Sequence, residues 1–289
     1  MGARLLRLAS LPEGTSHEHL GAVGVAKTAP VKISRLNFRY PSRPEAPVLR
    51  DVSITIPKDS CTAIVGRSGS GKSTIASLML ALYESPEATD GGPPAFSLDG
   101  IDIRRLHIPT LRSLISVVSQ QPTIFPGTIT SNICYGLDES STLREPHNVR
   151  AAATAAGIDN FIMSLPDGYS TIIGDGAVGL SGGQAQRMVI SRALIRRPQI
   201  LILDEATSAL DPTSAEVIRQ TVRELVSAQL GLTVVIITHA KEMMDIADNV
   251  VVLEQGCVVE KGPYEVLARR AGGKLRALIE NEGEDISDT

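Results

Sequence analysis

Apolar positions along this chain recur with two different periods, and the places where one gives way to the other divide it into segments. Residues 1–29 are rich in Gly, Ala, Ser and His. They carry no sustained periodicity after Leu20, and read as a flexible leader or linker with a short amphipathic turn at Arg4 to Leu8. From Val31 to Ile56 two strand-like runs flank YPSRPEAP, whose three prolines force a loop, and the pattern predicts an antiparallel β region. CTAIVG (61–66) then leads through a Gly-rich turn into a helix expected from about Lys72 to Tyr83. A Gly-Pro loop, TDGGPPA, precedes the short strand FSLDG, and a further strand, ISVVS, ends at Gln120. Between about Pro122 and Gly183 the pattern becomes Ala-rich and helical, as in VRAAATAAG, which predicts a separate small helical lobe.

The remainder alternates. A helix from Gly183 to Arg196, the strand ILILD, a helix from Pro212 to Ser227, the strand LTVVIITH and a hairpin VVVLEQGCVVEKG follow in order. Residues 271–289 read as a C-terminal helix with an acidic tail. Runs such as ILIL and TVVII are apolar at every position, as strands covered on both faces of a parallel sheet must be. The fold class is therefore α/β, with the main folded unit over 30–270.

Composition supports a globular chain: 43% of the 289 residues are hydrophobic and 21% charged, with 25 Gly and 17 Pro. Aromatics make up only 3% and Trp is missing, so the core has to be aliphatic. A net charge of −4 gives no electrostatic reason to expect a nucleic-acid partner. Three scattered cysteines, Cys61, Cys134 and Cys257, fit neither a disulfide framework nor a zinc site. No apolar run approaches the ~18 residues of a membrane span. The opening MGARLLRLAS has two Arg and no acid, a faint likeness to an organellar presequence, and Leu at the sixth position argues against myristoylation.

The chemistry begins at Gly66-Arg67-Ser68-Gly69-Ser70-Gly71-Lys72-Ser73-Thr74. This is GxxxxGK[ST] after a strand and opening a helix, the context that makes it a phosphate-binding loop. Glycines let successive backbone N–H groups turn toward phosphate oxygens, and the helix N-terminus adds its positive end. Lys72 is expected to reach the β- and γ-phosphates of ATP, and the Ser73 hydroxyl to ligate Mg²⁺. The strand ending in Asp204-Glu205 puts two carboxylates at the C-terminal edge of the sheet, where ligands of open α/β folds bind. By itself such a pair would read as a solvated cap. Beside the phosphate loop, Asp204 suits Mg²⁺ and Glu205 the polarising of an attacking water. Leu180-Ser181-Gly182-Gly183-Gln184 opens a second helix N-terminus able to face phosphate. One chain with two such termini and one set of acids suggests that the second serves a neighbour's nucleotide.

LSGGQ with these two motifs resembles the signature of ABC-type ATPases, and the resemblance covers about Val31 to Ala268. It implies a P-loop NTPase with a RecA-like core, an antiparallel β subdomain and an inserted α-helical subdomain. It also implies that two such domains bind head to tail, each signature closing over the other's ATP. Tyr40 is similar to the aromatic that stacks on adenine. Gln120 is similar to the glutamine that joins Mg²⁺ and attacking water to the helical lobe. Ser208 to Asp211 resemble the loop that crosses the dimer, with Asp211-Pro212 alternatively a plain helix start. His239 resembles the switch histidine at the γ-phosphate. The stretches FRYPSRP and SQQPTIF are similar to the exporter branch, closest to the second ATPase domain of fungal-like or other eukaryotic multidrug or peptide exporters. That implies a second nucleotide-binding domain and the transmembrane domains of an exporter, in cis or in trans, as partners, with the chain at the cytosolic face of a membrane. Three positions depart from the pattern: Gln121 where exporters carry an acid, IGDGA with Gly176 in place of the usual Arg, and Ala185 after the signature. Two other readings stay open at this point: a soluble ABC ATPase acting on DNA or ribosomes, for which the coiled-coil insertion or second cassette is lacking, and a binding module with negligible activity alone.

Overall fold

The computed structural model describes residues 21, 23, 30–87, 92–174, 179–228 and 231–284, and the side chains of these up to Glu280. The predicted turn at Arg4 to Leu8, the acidic tail after Glu284, and Asp175 and Gly176 lie outside the described residues.

The strands in chain order are β1 (Val31–Arg39), β2 (Pro47–Ile56), β3 (Cys61–Val65), β4 (Phe96–Leu98), β5 (Ile101–Asp102), β6 (Ile115–Val118), β7 (Gly127–Thr128), β8 (Ile172–Ile173), β9 (Ile200–Asp204), β10 (Thr233–Thr238), β11 (Asn249–Glu254) and β12 (Cys257–Pro263). They build an antiparallel sheet β2-β1-β4-β5 and a six-stranded sheet β12-β11-β3-β10-β9-β6. The larger sheet is parallel except for β12, which returns from β11 as the expected hairpin.

Alternation along the central strands divides the core. Ala63, Leu201, Leu203, Val234 and Ile236 belong to one apolar cluster, and Ile64, Ile200, Ile202, Val235 and Ile237 to the other. Both faces of β3, β9 and β10 are thus buried, which is why these runs show no polar alternation. One face packs on the antiparallel sheet and on helix α1 (Lys72–Met79). The other carries the helical part of the chain: α3 (Ile129–Ile133), α4 (Pro146–Ala155), α5 (Asp159–Ser164) and α6 (Gly182–Leu194), followed by α7 (Pro212–Ser227), while α2 (Ile108–Leu114) leads into β6. Two short helices, α8 (Lys241–Met244) and α9 (Tyr264–Arg269), and the longer α10 (Lys274–Glu284) complete the order.

Two differences from the sequence pattern have identifiable causes. Helix α1 stops at Met79, one turn before the expected Tyr83. Ala81 enters the left-handed region at φ 49°, its N–H donates to Leu78 O, and Leu82 N–H donates to Ser77 O, a Schellman ending made without the usual glycine. The lobe between Pro122 and Gly183 also holds a two-stranded pair, β7 with β8, each too short to show a period.

Candidate functional site

Because β3, β9 and β10 run parallel and in step, their C-terminal ends bring three loops together: Val65 pairs with Thr238 and Asp204 with Ile237. The first loop is Gly66–Gly71. Gly66 has φ 150°, and a Cβ there would lie 2.2 Å from Leu253 O, so β11 presses directly on the turn and only glycine fits. Gly71 caps α1 in the left-handed region. The Lys72 side chain folds back along the loop and donates to Gly66 O at 2.7 Å and Arg67 O at 3.1 Å. It is 6% exposed. Burial pushes its pKa down, against the opposing pull of the Glu205 and Asp204 carboxylates.

Ser73 Oγ donates to Asp204 Oδ1 at 3.2 Å, joining the helix start to the end of β9. Burial raises the Asp204 carboxyl pKa, with the Ser73 hydrogen bond and Lys72 acting the other way. The next residue, Glu205, has φ 50°, a conformation disfavoured for any residue with a Cβ. Its N–H donates to Ile237 O at 2.8 Å, and its carbonyl accepts from Ser208 Oγ at 3.0 Å and Ser208 N at 3.2 Å. His239 Nδ1 stands 3.7 Å from Glu205 Oε1. Gln120, two residues beyond the end of β6, donates from Nε2 to Ser208 Oγ at 3.0 Å, and so meets the Glu205 side of the cluster. Tyr40 shares a 2.8 Å hydrogen bond with Thr74 Oγ1 and stands edge-on to Phe38 and Tyr83, with ring centroids 5.2 Å and 5.0 Å away. The partly buried tyrosine therefore sits beside the first turn of α1.

A family model described as ABC transporter matches residues 49–208, more than half of the chain. The chain belongs to the ABC transporter family. The matched region is the ATP-binding, ATPase domain of B-type exporters. The mouse protein "ATP-binding cassette sub-family B member 10, mitochondrial" is 42% identical over 252 residues, 87% of this chain and 34% of that protein. "ABC multidrug transporter MDR2" of Trichophyton rubrum is 42% identical over 242 residues, 84% of this chain and 17% of that protein. Among solved structures, a bacterial Atm1-family ABC exporter with ATP bound superimposes with a TM-score of 0.80 at 33% identity, over 97% of this chain and 46% of that one. The chain thus spans about a third or less of the curated relatives named, and under half of the solved exporter chain.

In this ABC domain the segment Leu180–Gln184 is built differently from the phosphate loop. Ser181 is the N-cap of α6 and forms a reciprocal capping box: Gln184 N donates to Ser181 Oγ at 3.2 Å and Ser181 N donates to Gln184 Oε1 at 2.9 Å. Among the described residues no hydrogen bond joins this segment to Gly66–Thr74. Its neighbours are the residues after Glu205. A Cβ on Gly182 would lie 3.1 Å from Leu210 Cδ2, and one on Gly183 2.6 Å from both Cβ and Oγ of Ser214. Gly183 is therefore required by the close approach of α7, a packing reason that its place in a phosphate-like motif does not reveal. Gly183→Ala is expected to destabilise the fold by about 1–3 kcal/mol, since the Ser214 Cβ cannot rotate away. A urea midpoint equal to or above that of the wild type would contradict this. Asp211 is the N-cap of α7, accepting from Ser214 N at 3.0 Å, and this hydrogen bond holds its carboxyl below the usual range. The plain helix-start role weighed for it is thus observed.

Two polar residues take contacts in the site that the sequence does not announce: Ser208, known from sequence only as the start of the loop resembling the dimer-crossing one, and Gln186, which carries no signal at all. Ser208 receives Gln120 and holds the Glu205 carbonyl. Gln186, 0% exposed on α6, donates from Nε2 to Ser119 O at 3.0 Å, across 67 residues of sequence. Gln121 is exposed, its carbonyl accepting from Ser119 Oγ at 3.2 Å.

Proposed function

We propose that this chain hydrolyses ATP as one member of a head-to-tail pair, at the cytosolic face of a membrane, and drives export through transmembrane domains supplied in cis or in trans. The observation that carries the reading is the meeting of Lys72, Ser73, Asp204, Glu205 and His239 at one sheet edge, while the Ser181 terminus is capped by its own Gln184. A site with its own lysine and acids, and a second N-terminus that makes no hydrogen bond to its phosphate loop among the described residues, reads as one half of a composite site. Among the described residues no helix is long and apolar enough to cross a membrane.

Within each site the loop N–H groups of residues 66–74 cradle the phosphates, and Lys72 turns from its loop carbonyls to the β- and γ-phosphates. Glu205 holds the attacking water and accepts its proton, and His239 donates to the γ-phosphate from beside that carboxylate. Tyr40 flanks the adenine at the start of α1. The partner's Ser181–Gln184 segment and Asp211 close the site over the nucleotide.

The donor set fits Mg²⁺. Ser73 Oγ and Asp204 Oδ1 are hard oxygens 3.2 Å apart. An ion held there would take its remaining ligands from phosphate and water. When bound, Mg²⁺ neutralises charge on the phosphates. Gln120 donates to Ser208 through Nε2, so its Oε1 is the atom that would join the ion. Phosphate release is expected to fall by about 100-fold or more when a chelator removes divalent ions and to return on adding Mg²⁺. Unchanged turnover in the chelator would overturn the assignment of Ser73 and Asp204.

A further inference from the structure

Helix α6 grips the segment after β6 at two places. Near its start, Gln186 Nε2 donates to Ser119 O at 3.0 Å. Near its end, Arg192 donates to Thr123 O at 2.8 Å and, from Nε, to Asn132 O at 2.7 Å, with its guanidinium over the stacked rings of Phe125 and Tyr135. Gln120 lies between these two anchors. From it a chain of donors runs on: Gln120 Nε2 to Ser208 Oγ at 3.0 Å, then Ser208 Oγ to Glu205 O at 3.0 Å. The second turn of α6 is thus joined to the backbone of Glu205 through the buried Gln186 amide and the Gln120 amide.

Gln186 is an expensive way to fill that space. It is 0% exposed, and its Oε1 finds no donor among the described residues. An apolar side chain would remove the unpaired Oε1 but would also take the donor from Ser119 O, so the amide makes its tie to Ser119 at the cost of one unsatisfied buried acceptor.

We propose that Gln186 is a positioning residue that couples the two ATP sites of the pair. Closure of the partner's nucleotide on Ser181–Gln184 shifts the first turn of α6, Gln186 carries Ser119 and Gln120 with it, and Ser208 passes the shift to Glu205. Each site then becomes competent only when the other is occupied. The inference rests on the head-to-tail pairing proposed above.

The test uses the 289-residue chain carrying Glu205→Gln, so that ATP persists, and follows hydrogen exchange with and without Mg-ATP in two peptides, one covering 119–125 and one covering 180–186. ATP is expected to slow exchange about tenfold in both. Adding Gln186→Leu should leave the 180–186 response and the ATP affinity within about threefold, while the 119–125 response falls below about twofold. Val189→Ala, a packing loss on the same helix, controls for general loosening and should keep both responses. If 119–125 still follows 180–186 in the Leu variant, or if Val189→Ala uncouples them as well, the role of Gln186 is overturned and the pairing stands. If 180–186 gains no protection with ATP even in the Glu205→Gln chain, the pairing fails and this inference falls with it.

Discussion

Glu205→Gln is expected to lower ATP turnover by about 100-fold or more while ATP stays bound, the scale on which a positioned general base contributes. The substitution is nearly isosteric, and what holds Glu205 in place is its backbone: the N–H on Ile237 O, the carbonyl on Ser208, and φ at 50°. None of these depends on the carboxylate. The glutamine amide keeps the shape, cannot take a proton from water, and removes a negative charge facing the triphosphate, so nucleotide affinity should hold or rise. With ATP trapped, the pair should persist as a dimer in light scattering after Mg-ATP is added. Phosphate release at the wild-type rate would remove Glu205 from the chemistry.

The second large effect is at Lys72. In the folded chain its amine is buried, and desolvation lowers its pKa despite two nearby carboxylates. A folded pKa below the unfolded value means that the charged form is disfavoured by folding. The cost is present in full below the folded pKa and disappears only as pH rises through the unfolded value, so near neutral pH the charge works against stability. Lys72→Met keeps the length and discards the charge. The nucleotide-free variant should therefore melt no lower than the wild type. ATP at about 100 times Kd should raise the wild-type Tm by on the order of 5 °C and leave the variant unmoved. A retained ATP shift would show that Lys72 is not a phosphate ligand. A large drop without ATP would show that the lysine is structural.

The contrast between these two residues and Gln186 marks what the sequence could disclose. Lys72, Ser73, Asp204 and Glu205 are legible because the loop and the strand end are local motifs whose chemistry follows from their spacing. The strands β3, β9 and β10 are legible because full burial leaves continuous apolar runs. What stayed hidden depends on partners far away in sequence. Gln186 has meaning only through Ser119, and Gly183 owes its lack of a side chain to Ser214 on the next helix. The sequence pattern runs α1 on for one turn too many because Ala81 takes a left-handed conformation with no glycine to announce it. The antiparallel region was visible in its first two strands, but β5 has only two residues and shows itself through pairing with β4. Tyr40, expected as a stacking aromatic, turns out to be fixed at the start of α1 by Thr74 and flanked by Phe38 and Tyr83, a setting that its place in the sequence did not contain.

The central claim is that one chain holds half of each ATP site, and it is tested most directly by the rate of ATP hydrolysis per molecule as a function of protein concentration. The account predicts a rate that rises steeply at low concentration and levels off as pairs saturate, with Ser181→Arg abolishing the rise, because the long side chain fills the space over the partner's phosphates. A rate per molecule that is measurable and flat across the whole range would mean that a single chain completes its own site, and the composite arrangement would be wrong.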